Sequence, residues 1–304
     1  MQSLAEIADD LAAGRTTSRA LTEAALARID DPAGEGARAF IKVYHEAALE
    51  CAKASDQARA HGIVPSPLAG IPVSIKDLCD VAGEVTLAGS SVRQDAEAAT
   101  KDAPAVARLR AAGAVITGRT NMVEFAMGAP GTNAHYGTPK NAWDRATGRI
   151  PGGSSSGAAV SVTDGMAAAA LGTDTAGSVR IPAALCGLAG FKPTARRVPT
   201  EGIYPLSRTL DSVGPLAPTV ACCALVDAVF AGAAPPELTP RPLQGLRLAV
   251  PKYLVFDDVD DTVGAAFQAA LSKLSAAGAR ITKIDFAELA RMPAINRIGG
   301  FSTA

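Results

Sequence analysis

The sequence is poor in histidine, offers no paired-cysteine spacing and has no long apolar run, and each lack excludes something. Only three histidines occur in 304 residues, His45, His61 and His135. None stands at metal-ligand spacing from another, which argues against a zinc site, and no motif asks for a metal or any other cofactor. The five cysteines (Cys51, Cys79, Cys186, Cys222, Cys223) are odd in number and form no C-x-x-C. A disulfide framework is therefore not expected. The adjacent pair Cys222-Cys223 reads as small core residues of an apolar helix, and a reducing, cytoplasmic setting fits best. Apolar stretches are interrupted by Gly, Pro or charge well short of the ~18 residues that a membrane helix needs. The N-terminus MQSLAEIADDLAAG carries Glu6, Asp9 and Asp10, an order opposite to that of a signal peptide. With 29 Lys and Arg against 30 Asp and Glu there is no basic excess, so neither nucleic acid nor an anionic membrane is an expected partner.

What is present is a chain able to build a core, 48% hydrophobic and 19% charged, long enough for one large α/β domain or two ordinary ones. Helical patterns over Ser3–Ala13, from Thr17/Ser18 to Ile29 and over Tyr44–His61 open the chain before any clear strand. They suggest a cap or an oligomer surface, with a homodimer one arrangement open to it. Turn chemistry at Pro65–Gly70 then delivers a short apolar strand, Ile71-Pro72-Val73-Ser74-Ile75, into Lys76-Asp77. Pro104 opens a helix closed by Gly113, Ala114–Gly118 reads as a strand and Asn121–Met127 as a helix, the rhythm of a parallel α/β fold. Gly128–Gly148 reads as a long loop. Thr219–Phe230 is helical, followed by a Pro-rich connection, a strand (Leu246–Val250), a long helix (Asp261–Ala277) and a strand (Arg280–Ile284). The expected organisation is N-terminal helices at 1–62, a core at 63–220, and a C-terminal α/β portion at 221–304 that looks cut short at Gly299–Ala304.

One stretch, Ile150–Lys192, holds three consecutive serines between glycines (Gly152-Gly153-Ser154-Ser155-Ser156-Gly157) and a fourth, Ser178, behind Ala176-Gly177. Glycine beside serine marks backbone that must approach something closely, with hydroxyls presented at bends. A phosphate cradle would need a Gly-Lys pair or G-x-G-x-x-G, and neither is there. Gly153–Gly157 does match the nucleophile elbow G-x-S-x-G, but an α/β-hydrolase triad needs a later histidine and the last one is His135. A His-Asp-Ser order using His61 or His135 has nothing local to support it. A serine hydrolase without histidine needs another base, and a lysine kept neutral by burial can serve. Lys76, at the end of an apolar strand, is the candidate; a strand-end lysine reaching to solvent is the plainer reading of the same residue.

The motifs Gly70-Ile71-Pro72-Val73-Ser74-Ile75-Lys76-Asp77, Pro151–Gly157 and Leu171-Gly172-Thr173-Asp174-Thr175-Ala176-Gly177-Ser178-Val179-Arg180-Ile181-Pro182-Ala183, in this order, resemble the amidase signature family. The resemblance is tightest over 68–216. It implies an α/β amidase-signature fold, a mixed, largely parallel β-sheet covered on both faces by helices. It also implies hydrolysis of a carbon–nitrogen amide bond, other than a peptide bond, in a small-molecule amide through a seryl acyl-enzyme. In that pattern Ser178 is the nucleophile, Ser154 (on a cis peptide in the family) relays the proton, and Lys76 is base and then acid. The backbone N–H groups of Thr175, Ala176, Gly177 and Ser178 form the oxyanion hole. Asp174, Arg180 and Ser155 support that turn, although Asp174 and Arg180 read equally as a partly exposed ion pair. Phe125, Met127 and Tyr136 are candidates for the acyl pocket, each with core packing as an equal reading. The family usually has Gly-Gly before the nucleophile where this chain has Ala176-Gly177, a change expected to be silent. Two other functions share these motifs: a glutaminase-type subunit of a tRNA-dependent amidotransferase, and an inactive truncated paralogue. The third serine of Gly-Gly-Ser-Ser-Ser-Gly favours a free-standing amidase over the first.

Overall fold

A computed structural model describes residues 1–253 and 256–297; the chain end discussed above, Gly299–Ala304, lies outside the described residues. The chain divides into two units, Met1–Pro236 and Glu237–Ala304. The first boundary expected at 62 is absent, because the opening helices belong to the first unit's core. In α1 (Leu4–Ala12) a Ser3/Glu6 capping box closes the N-terminus, and Leu4, Ile7 and Leu11 are buried at helical spacing. Helix α2 (Ser18–Asp30), capped by Thr17, buries Leu26 and Ile29. After α3 (Gly36–Ala39) a short strand β1 (Phe40–Val43), not foreseen from sequence, precedes α4 (His45–Ala60).

The first unit's sheet has six strands in the order β1-β3-β2-β4-β6-β5. Here β2 is Pro72–Lys76, β3 Val115–Thr120, β4 Ala169–Asp174, β5 Ala189–Gly190 and β6 Ser212–Ala217. Strand β2 pairs in parallel with β3 and β4, so the centre of the sheet is parallel. Antiparallel pairs β1–β3, β4–β6 and β5–β6 complete it. Alternation along the strands splits the core into two layers. Val73, Ile75, Leu171 and Val213 share one cluster with Leu4 of α1, Leu109 of α5 (Pro104–Ala111) and Phe230 of α8 (Val220–Ala231). Ala170 and Leu216 face the other, with Leu26 and Ile29 of α2, Ala158–Val160 of α6 (Ser156–Thr163) and Ala183 of α7 (Arg180–Leu185). Helix α8 thus lies in the first unit, whose limit is Pro236 rather than 220, and Cys222 and Cys223 are core residues.

Asn121–Met127 is not a helix. It holds one 3-10 turn, Glu124–Ala126, with Phe125 and Ala126 at φ +50° and +61°. Tertiary partners override local propensity there: Val123 N–H donates to the Ser154 carbonyl at 3.1 Å and Phe125 N–H to that of Ala88 at 2.9 Å. The second unit pairs β7 (Arg247–Pro251) in parallel with β8 (Arg280–Ile284), connected by α9 (Asp261–Ala276) with Asp260 as its cap, and ends in α10 (Ala287–Arg297). No described helix is long and apolar enough to cross a membrane.

Candidate active site

Strand β2 is buried along its whole length and paired on both sides. Ser74 faces α6, its hydroxyl 2.9 Å from that of Ser161. Two residues on, alternation sends Lys76 to the same face at the strand's C-terminal end. Lys76 is completely buried, with Nζ 2.8 Å from Ser154 Oγ and 2.9 Å from Thr173 Oγ1. Burial pushes its ammonium down from 10.5 to about 7, against a smaller upward pull from Cys79, Asp174 and Asp211. The reading of Lys76 as a solvated strand-end lysine is therefore set aside.

Ser154 follows a cis Gly153–Ser154 peptide and leads into α6. Gly153 has to be glycine: a Cβ there would stand 2.8 Å from Gly131 Cα and 2.9 Å from Val123 Cγ2. Ser155 fastens this turn to the next one, its N–H donating to the Ser178 carbonyl (3.2 Å) and its hydroxyl to that of Thr173 (3.3 Å). The third serine, Ser156, is buried with no partner for its hydroxyl among the described residues.

The second turn leaves β4 at Asp174. That carboxylate, fully buried, accepts from Gly177 N–H (2.8 Å), Val179 N–H (3.2 Å), Arg180 N–H (3.3 Å) and the Arg180 guanidinium through Nε and Nη2, both at 2.9 Å. Burial alone would raise its pKa; the Arg180 fork and the backbone donors outweigh that and hold it below the usual carboxylate range. Arg180 is itself 53% exposed, so the pair is a buried anchor with a solvated cation. Gly177 N–H, expected in the oxyanion hole, is committed to Asp174. The N–H groups of Thr175, Ala176 and Ser178 have no acceptor among the described residues. The left-handed φ of the turn falls on Gly177 (+125°) and not on Ala176, so the Ala176-Gly177 departure strains nothing. Ser178 is 9% exposed and its hydroxyl makes no hydrogen bond among the described residues. Lys76 and Ser154 are thus directly bonded, whereas Ser178 joins them through its carbonyl and Ser155.

Of the pocket candidates, Phe125 lies against the core with its ring 5.5 Å from that of Tyr204, Met127 is 60% exposed, and Tyr136 Oη donates to the Ser90 carbonyl at 3.5 Å. Their loop touches the serine turn through Val123 and through Gly153 N–H, which donates to Ala129 at 2.6 Å, but none of the three hydrogen-bonds to Lys76, Ser154 or Ser178. A cavity of about 410 Å³ lined by Met1, Ile7, Arg28, Pro72 and Asp164 opens at the opposite strand ends, away from Lys76. Sequence reasoning missed Thr173, the second partner of Lys76, which carries no signal within its motif. It also missed Arg119, buried in β3 and donating through Nε to Asp77 Oδ1 at 2.8 Å and through Nη2 to the Cys79 carbonyl at 2.9 Å. A lone arginine in the short strand pattern Val115–Thr120 was the available signal. Asp77 is also held by Gly89 N–H at 3.0 Å.

A mixed α/β fold with a buried lysine on a serine hydroxyl, next to a serine in a turn of unpaired N–H groups, has the form of an acyl-transfer site without histidine. The Amidase family model matches residues 20–303, and the chain belongs to that family. It is 42% identical over 287 residues to the A subunit of the glutamyl-tRNA(Gln) amidotransferase of Chloroflexus aggregans, covering 90% of this chain and 58% of that one. It is also 42% identical over 259 residues to the 2-amino-5-chloromuconic acid deaminase of Comamonas testosteroni, covering 84% and 56%. A crystal structure of an amidase superposes with a TM-score of 0.84 at 35% identity, over 99% of this chain and 71% of that one, which identifies the fold as the amidase-signature fold. The chain spans under two thirds of the length of both sequence relatives.

Proposed function

We propose that the protein hydrolyses the carbon–nitrogen bond of a small-molecule amide, with Ser178 as nucleophile, Ser154 as relay and Lys76 as base and acid. The observation that carries this is the Lys76 amine, fully buried, its pKa lowered to about 7 so that a substantial share is neutral at pH 7, and 2.8 Å from Ser154 Oγ. A neutral amine has one lone pair for the Ser154 proton and still donates an N–H to Thr173. Ser178 Oγ attacks the amide carbon while its proton passes to Ser154 Oγ and that of Ser154 to Lys76 Nζ. The carbonyl oxygen becomes an oxyanion beside the free N–H groups of Thr175, Ala176 and Ser178, each such donor typically worth ~3–4 kcal/mol in the transition state. The C–N bond then breaks, and the leaving nitrogen takes the proton back from Lys76 through Ser154. Water releases the acid by the same route in reverse, restoring Ser178. Free cysteines, four of five buried, support a reducing, cytoplasmic setting.

Ammonia release across an amide panel tests this, with Ser178→Ala expected to lose both turnover and trapping of the acyl-enzyme. Undiminished turnover in that variant would sink the assignment. The identity to the amidotransferase relative supports a second reading, a glutaminase component that works in a complex. Strict dependence on glutamine, or copurification of partner proteins, would select it.

A further inference from the structure

Asp211 joins two parts of the site that lie far apart in sequence. Its Oδ1 accepts from the Thr175 hydroxyl at 2.5 Å, and its Oδ2 from the N–H groups of Leu206 and Ser207, both at 3.0 Å. Its own N–H donates to the Ser207 carbonyl at 2.9 Å. It forms no ion pair among the described residues, so both oxygens serve neutral donors.

Each oxygen holds a different piece. Thr175 opens the turn that carries Ala176, Gly177 and Ser178. Leu206 and Ser207 belong to the loop that begins at Ile203 and Tyr204. That loop is tied to the segment just after Lys76, through Tyr204 N–H on the Leu78 carbonyl (2.8 Å) and the bridge between Cys79 and Ile203. Tyr204 in turn packs at 5.5 Å from Phe125 and lies under the Arg93 guanidinium at 4.5 Å.

We propose that Asp211 is a positioning residue for amide hydrolysis. Through Thr175 it holds the turn that presents Ser178 and the free N–H groups, and through Leu206 and Ser207 it fixes the loop whose Tyr204 packs on Phe125, a wall that we assign to the acyl pocket. This rests on the hydrolase reading of the site. The two oxygens separate the two effects: losing the Thr175 hydroxyl disturbs only the turn, where the transition state is held, while losing the carboxylate disturbs turn and wall together.

The charge has a third consequence. The titratable groups acting on Lys76 are Cys79, Asp174 and Asp211. Cys79 is a neutral thiol that burial pushes up to about 12, and Asp174 is paired with Arg180. Asp211 is the unpaired carboxylate among them, and its negative charge favours the Lys76 ammonium. Removing it shifts the Lys76 titration to lower pH.

The test is steady-state kinetics on one hydrolysed amide, together with an NMR titration of Lys76 in protein carrying 13C-labelled lysine. Thr175→Val is expected to lower kcat about 100-fold, the scale of an ångström misplacement, with KM nearly unchanged. Thr175→Ser restores most of it. Asp211→Ala lowers kcat as far and raises KM, and adding Thr175→Val to it lowers kcat no further. Asp211→Asn, close to isosteric, keeps the fold and moves the Lys76 titration down, which a purely structural role would leave in place. An unchanged kcat in Thr175→Val, additive losses in the double variant, or an unmoved Lys76 titration in Asp211→Asn overturns the role while leaving the hydrolase reading intact. A parent protein with no amide turnover overturns that reading, and this role with it.

Discussion

Replacing Lys76 with methionine separates the cost of burying an amine from the use made of it. The fall from an ordinary 10.5 to about 7 corresponds to roughly 5 kcal/mol, at about 1.4 kcal/mol for each tenfold change in proton affinity. Its sign follows from proton counts. Between about 7 and 10.5 the unfolded chain holds the Lys76 proton and the folded protein does not, so stability rises with pH across that window. The penalty is absent above 10.5, grows as pH falls, and is complete below about 7. Methionine fills the space of the lysine stem without a charge to desolvate, but it leaves the Ser154 and Thr173 hydroxyls without their nitrogen, at about 1–3 kcal/mol. The variant should therefore be the more stable protein near pH 6, by roughly 2–4 kcal/mol, and lose that advantage near pH 10. Urea denaturation at several pH values measures the difference directly. With Lys76 as the proposed base, kcat/KM of the unaltered protein is expected to rise with pH through about 7, as the amine loses its proton. Stability curves that run parallel for the two proteins would refute the claim that Lys76 is buried neutral.

Three further substitutions test the turn and the buried Arg119–Asp77 pair. Gly177→Ala places a side chain at φ +125°, at a cost of ~1–3 kcal/mol, and should cut kcat by displacing Ser178. Ala176→Gly, at an exposed residue without positive φ, should change stability by under about 0.5 kcal/mol; thermal melts and kinetics of the pair decide, and equal effects would place the strain wrongly. Arg119→Met strands the Asp77 carboxylate, which burial already pushes up against the pull of Arg119. Breaking such a buried pair costs ~3–5 kcal/mol, and a loss below about 1 kcal/mol by chemical denaturation would show that Asp77 does not depend on it.

What could be read from sequence was what local chemistry governs. The long helix from Asp261, the strand Arg280–Ile284 and the apolar strand ending at Lys76 each carry their own signal. Helix α6 and strand β4 do not, because their small residues are buried on nearly every side and show neither a stripe nor an alternation. The four-residue β1 is too short to show a pattern. The segment Asn121–Met127 misled for the opposite reason. Its apolar residues have helical spacing, but its backbone bonds go to Ser154 and Ala88 across the fold. In the site, the hydroxyls and the lysine stood out as motifs, whereas Thr173, Arg119 and Asp211 act through neighbours that only the sheet order brings close.

The burial of Lys76 and the free N–H groups share one geometric cause. Strand β4 is paired with β2 as far as Leu171 and with β6 as far as Asp174, and in a buried region an unpaired donor is otherwise costly. Only where the strand stops, with Asp174 drawing Gly177, Val179 and Arg180 into a tight turn, do N–H groups stay unpaired beside the nearly buried Ser178. Strand β2 runs parallel to β4 and ends at the same edge, which sets Lys76 against that turn and among the side chains that desolvate it. An antiparallel β2 would have carried its last residue to the far edge, with the large cavity lined by Pro72. The parallel centre of the sheet is thus what brings the buried Lys76 amine and a set of free donors together.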